Sequence, residues 1–190
     1  MPDRNKQQPR ENIWNESLKT LALSLFLAFG IRAGVAQSFF IPSGSMEPTL
    51  QIDDRLIVDK VSYRFESPQR ADVVVFPPPN TAIAACGLAP NSHDIFIKRI
   101  VGLPGEKVEV KDGHVYINDR PLNEKYIAAQ PQYEWGPKTV PANHYLVLGD
   151  NRNNSCDGHA WGFVPRENIM GKAVVRFWPP NRVGMIPAKP

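Results

Sequence analysis

Lys107-Val108-Glu109-Val110-Lys111-Asp112-Gly113-His114-Val115-Tyr116-Ile117 alternates apolar and polar side chains on both sides of Lys111-Asp112-Gly113. Alternation with a period of two marks half-buried strands, and an Asp-Gly pair between two such runs marks a tight hairpin turn. Similar short runs lie on either side. Arg55-Leu56-Ile57-Val58, Asp72-Val73-Val74-Val75-Phe76 and Ile95-Phe96-Ile97 precede the hairpin. His144-Tyr145-Leu146-Val147-Leu148 and Lys172-Ala173-Val174-Val175-Arg176-Phe177 follow it. The 19 prolines and 13 glycines cut the chain into pieces too short for a helical bundle. No long segment after Pro42 keeps a 3.6-residue period, so residues 38–190 read as one mainly β domain of antiparallel sheets. Residues 77–94 and 118–143 lack strand pattern and read as loops or insertions. Together with the hairpin, the second makes an inserted sub-domain over about 107–143.

The N-terminal part differs. Residues 1–17 are mostly polar and read as a tail, whereas Leu18 to Ile31 is apolar apart from Lys19, Thr20 and Ser24. The strict apolar core, Leu21 to Ile31, is shorter than the roughly 20 residues that span a bilayer. Extended over 18–37 it is long enough if Arg32 snorkels to an interface. These residues are therefore expected to form one N-terminal transmembrane helix in a lipid bilayer. Arg4, Lys6, Arg10 and Lys19 precede the apolar core, and only Arg32 follows before Arg55, which places the N-terminus in the cytoplasm and residues 38–190 outside it. A cleavable signal peptide ending near Ala36, or a buried helix of a soluble protein, fits the same pattern.

The net charge of +3 comes from 22 basic and 19 acidic residues without a dense basic run, which speaks against a nucleic-acid partner. Hydrolytic chemistry has better candidates. A serine hydroxyl needs a base within hydrogen-bond reach, and none of the four histidines stands in a familiar triad context. A lysine serves if burial lowers its pKa from about 10.4 toward neutrality. Lys98 is the lysine most enclosed by large apolar residues, in Ile95-Phe96-Ile97-Lys98-Arg99-Ile100-Val101. On a strand it shares a face with Phe96 and Ile100. Taken alone it also reads as an exposed edge-strand lysine. Pro42-Ser43-Gly44-Ser45-Met46 supplies the matching serine, Ser45. Its small neighbours admit a substrate backbone, and Ser43 and the Ser45 amide can face a developing oxyanion. Read by itself, this tract is an ordinary turn. The stretch Gly149 to Gly162 is dense in Asp and Asn and suits either a site or a well-bonded loop.

Four segments in order resemble the type I signal peptidases, the serine/lysine (leader peptidase) family. Ser43 to Leu50 is similar to the nucleophile box, Asp54 to Lys60 to the next, Lys98 to Glu106 to the base box and Gly149 to Gly162 to the last. The resemblance implies a membrane-bound serine endopeptidase that removes signal peptides from secreted preproteins after small residues, in an Ala-x-Ala pattern. It implies Ser45 as nucleophile, Lys98 as general base, and Ser43 with the Ser45 amide as oxyanion hole. Ser155 would orient the Lys98 amine, Asp150 would pair with Arg99, and Asp157 would support the loop. Ile41, Met46 and Phe96 would line the substrate pockets. No metal or organic cofactor is expected, and the membrane would be a bacterial plasma membrane or a thylakoid. The family often carries Ser and Arg where this chain has Gly158 and His159, which leaves ionic pairing there open. Other readings are a tethered β domain that binds peptides without cutting them, or a regulatory serine/lysine protease.

Cys86 and Cys156 could form a disulfide on an oxidising side of the membrane, tying the segment before Lys98 to the Ser155 loop. Two free thiols, or a zinc site with His93 and His159, are the alternatives.

Overall fold

A computed structural model describes residues 13–89 and 94–187, in two compact units, Met1–Val35 and Ala36–Pro190. Among the described residues the first unit holds one helix, α1 (Ile13–Gly34), rich in leucine and alanine. Lys19 Nζ donates to Glu16 Oε1 at 2.9 Å, a one-turn pair on its polar end. Among the described residues no helix is long and apolar enough to cross a membrane. The helix ends before the expected span of 18–37 does. Ala36 and Gln37 belong to the first strand, because they pair with Asp59 and Val58. Residues 1–12 of the expected tail lie outside the described residues.

The second unit is mainly antiparallel β. Its strands are β1 (Ala36–Phe40), β2 (Arg55–Asp59), β3 (Val73–Phe76), β4 (Phe96–Gly102), β5 (Lys107–Lys111) and β6 (His114–Ile117). They continue as β7 (Arg120–Pro121), β8 (Trp135–Thr139), β9 (His144–Leu148), β10 (Val164–Pro165), β11 (Gly171–Trp178) and β12 (Gly184–Met185). Two short helices, α2 (Asn80–Ala85) and α3 (Gly158–Trp161), sit in the connections. The large sheet runs β1-β2-β11-β3-β4-β9-β10, with β12 beside β11, and the small one runs β7-β6-β5-β8.

The hairpin β5–β6 turns at Asp112 and Gly113, whose φ angles of 51° and 75° suit the mirror-image turn that matches strand twist. Strand β3 is buried along its whole length, and its alternate residues feed two apolar clusters. Val73 and Val75 pack with Ile41, Met46, Leu50, Leu56 and Val58. Val74 and Phe76 pack with Ile100, Tyr145, Val147 and Trp161. A third cluster joins the two sheets, bringing Val108, Val110, Val115 and Ile117 against Val101, Leu146 and Leu148. Continuous apolar strands buried on both faces give the sheet a rigid centre, and β4 lies in it next to β3.

Candidate active site

Ser45 lies in one turn of 3₁₀ helix, Gly44–Met46, in the connection between β1 and β2. Met46 and Leu50 sink fully into the first apolar cluster and fix this turn against the sheet. Ser45 itself is buried. Lys98 is placed by β4, opposite Val74 of β3, on the face that also carries Phe96 and Ile100. Its Nζ donates to Ser45 Oγ at 2.8 Å and to the Ile97 carbonyl at 3.0 Å. Only 5% of Lys98 is exposed. Burial pushes its ammonium down to about 8, against a smaller upward pull from the Asp157 and Asp150 carboxylates. An amine in this state is neutral in a useful fraction of molecules near neutral pH, so it can accept the serine proton. Ser43 Oγ donates to Ser45 Oγ at 3.5 Å, close beside the same hydroxyl.

The pair opens on a cleft of about 410 Å³ lined by Ser43, Ser45, Leu88, Ile95, Phe96 and Lys98, with Cys86 and Cys156 on its wall. Those cysteines form a disulfide, with Cα atoms 5.8 Å apart. Neither sulfur is therefore free to ligate zinc, and His93 lies outside the described residues. Of the three residues expected to line pockets, Phe96 does so. Ile41 and Met46 instead belong to the apolar cluster under the sheet, at 2% and 0% exposure. Their side chains support the nucleophile turn from below.

The loop from Gly149 to Asp157 wraps the pair. Asp150 receives Arg99 in a two-pronged contact, Nε to Oδ1 at 2.8 Å and Nη2 to Oδ2 at 2.7 Å, with both side chains fully buried. Asp150 Oδ2 also accepts from Thr49 Oγ1 at 2.6 Å, and Arg99 Nη1 donates to the Ala71 and Pro187 carbonyls. Every polar group of this buried pair thus finds a partner. Asp157 accepts from the Gly149 amide at 2.8 Å and from His159 Nδ1 at 2.8 Å, so the histidine pairs with this carboxylate. The His159 ring stacks on Tyr133, with centroids 4.2 Å apart. Gly158 has a steric reason: a Cβ there would come within 2.7 Å of Leu146 Cδ1 and 2.8 Å of the Val147 carbonyl. Ser155 Oγ lies beside Gly149, but among the described residues it is buried without a hydrogen-bond partner and does not bond to the Lys98 amine.

Three contributors carried no signal of their own in the sequence. Glu124 takes Arg152 in a buried two-pronged pair, at 2.7 and 2.6 Å, and Arg152 Nε donates to the Gly149 carbonyl. Asn151 donates from Nδ2 to the Gly44 carbonyl at 3.1 Å and from its amide to the Ser45 carbonyl at 3.1 Å. Arg152 and Asn151 stand in a polar loop whose side chains all look alike in sequence. Glu124 stands in a segment with no pattern at all.

A serine hydroxyl hydrogen-bonded to a buried amine beside an open cleft is the apparatus of a serine/lysine hydrolase. The chain belongs to the signal peptidase family and is a serine endopeptidase: the family described as "Signal peptidase, peptidase S26" matches residues 14–178. It is 56% identical to the probable signal peptidase I-2 of Synechocystis over 96% of this chain and 82% of that one. It is 40% identical to thylakoidal processing peptidase 1, chloroplastic, of Arabidopsis thaliana, over 90% of this chain and 51% of that one. The crystal structure of a signal peptidase I from Enterococcus faecalis aligns with a TM-score of 0.45 and 31% identity, covering 56% of this chain and 97% of that one.

Proposed function

We propose that this protein removes N-terminal signal peptides from secreted preproteins, cutting after small residues, with Ser45 as nucleophile and Lys98 as general base. The 2.8 Å contact between the buried Lys98 amine and Ser45 Oγ carries this reading. Neutral Lys98 takes the hydroxyl proton as Ser45 attacks the scissile carbonyl. The Ser45 amide and the Ser43 hydroxyl then face the oxyanion. Lys98 passes the proton to the leaving amine, and an acyl-enzyme on Ser45 remains. Water, activated by the same amine, releases the signal peptide. Arg99 with Asp150 holds β4 in place behind the base, and Asp157 holds the loop. Leu88, Ile95 and Phe96 offer apolar contact to the residues before the cut.

We also propose a membrane setting. The apolar stretch Leu21 to Ile31 of α1 associates with a lipid bilayer, and residues 38–190 work on its extracytoplasmic side. The basic residues before the apolar stretch support this orientation, and the Cys86–Cys156 disulfide supports an oxidising compartment. Phe40, Phe177, Trp178 and Met185 expose apolar surface on β1, β11 and β12. A bacterial plasma membrane or a thylakoid suits the relatives above.

The test uses purified protein in detergent with a secretory precursor. Cleavage by the parent and none by Ser45→Ala or Lys98→Ala is the expected result. Full activity of Lys98→Ala would sink the mechanism.

A further inference from the structure

We infer that Asn151 is a positioning residue for the oxyanion hole, acting through the peptide unit that joins Gly44 to Ser45; the inference rests on the Ser45 reading above. A peptide unit is planar, with its carbonyl and its N–H pointing in opposite directions. Fixing the Gly44 carbonyl therefore fixes the Ser45 N–H, the backbone donor assigned to the oxyanion. Asn151 Nδ2 donates to that carbonyl at 3.1 Å. The Glu47 amide donates to the same oxygen at 3.1 Å, so two donors hold one end of the unit. Donors on the carbonyl also polarise the unit and make its N–H a stronger donor at the other end. The Asn151 amide meanwhile donates to the Ser45 carbonyl at 3.1 Å, which holds the next peptide unit. One residue, from a loop far away in sequence, thus grips the backbone on both sides of the nucleophile. Its side chain contacts the carbonyl end of the Gly44–Ser45 unit, while Lys98 meets the Ser45 hydroxyl, so the two act on different parts of the reaction.

The side-chain grip can be removed while the backbone one stays. Asn151→Ala deletes the donor. Asn151→Asp keeps the size but replaces the donor by a carboxylate facing a carbonyl. Full-length protein in detergent is assayed on a secretory precursor beside Ser45→Ala. In both variants kcat is expected to fall by about 10²-fold, the low end of what loss of an oxyanion donor costs, with KM within about threefold of the parent. The pH profile of Asn151→Ala should keep the parent's apparent pKa. A peptide aldehyde, which forms the tetrahedral adduct on Ser45, should bind more weakly by about the same factor as kcat falls. Binding of uncleaved precursor to the Ser45→Ala protein should be unchanged when Asn151→Ala is added. A kcat within about threefold of the parent overturns the inference. So does a fall accompanied by a shifted pH profile or by an equal loss of precursor binding, since that marks general loosening of the loop. Activity retained by Ser45→Ala is a different failure: it refutes the serine reading and takes this inference down with it.

Discussion

The ionisation of Lys98 links chemistry and stability through one proton. Cleavage is expected to rise with pH around an apparent pKa of about 8, as the ammonium gives way to the free amine. A profile rising only above about pH 10 would show a lysine in contact with water. The same depressed pKa destabilises the folded state. The unfolded chain binds the proton more tightly, so folding is penalised in full below about pH 8 and the penalty disappears toward pH 10.5. Lys98→Met should therefore be more stable than the parent near pH 7, by up to about 3 kcal/mol less what its lost hydrogen bonds contribute. Denaturant titrations at pH 7 and pH 10.5 measure this, and a gap that does not shrink with pH argues against the burial account. Gly149 has little freedom as well. A Cβ there would stand 2.3 Å from Ser155 Oγ and 2.5 Å from the Ser45 carbonyl. Gly149→Ala must move the nucleophile turn, and a shift of about 1 Å is expected to cost about 10²-fold in kcat. An alanine variant with parental kcat would show that the loop has room.

At the scale of elements, β4 is held by its charges as well as by its apolar neighbours. Arg99→Met leaves Asp150 buried without its cation and should cost about 3–5 kcal/mol in urea unfolding. Removing both charges, as Arg99→Met with Asp150→Leu, should cost less than that single change, because no charge is then stranded. A double variant less stable than Arg99→Met contradicts this. The same elements show what a sequence can and cannot reveal. The β5–β6 hairpin was readable because Asp112-Gly113 states its own turn geometry. Strand β4 was readable from its run of large apolar residues, and the order of the boxes pointed to Ser45 and Lys98. Strand β8 was missed because Gly136 and Pro137 interrupt it, which an edge strand tolerates. Ile41 and Met46 were expected in the cleft, since being apolar and close to a nucleophile does not say which way a side chain faces. Glu124 was invisible because its partner, Arg152, is 28 positions away. The position of Ser155 near the site was legible, but its hydrogen bonding was not.

Across the whole molecule, the Cys86–Cys156 bridge closes a loop of 70 residues that contains β4 and the entire small sheet. By loop-closure entropy, the double change Cys86→Ser and Cys156→Ser should lower stability by about 4 kcal/mol. Thermal unfolding of the double variant against the parent measures it, and an unchanged midpoint would mean that the bridge adds nothing. Strand β11 has a wider role. It lies between β2 and β3, and so joins the part of the sheet beside the Ser45 turn to the part that carries Lys98. Yet it is made of residues 171–178, which follow every other strand of the sheet except β12. In the order of the chain both Ser45 and Lys98 precede the strand that closes the sheet between them, so the sheet that sets the pair side by side is completed only once β11 has been made.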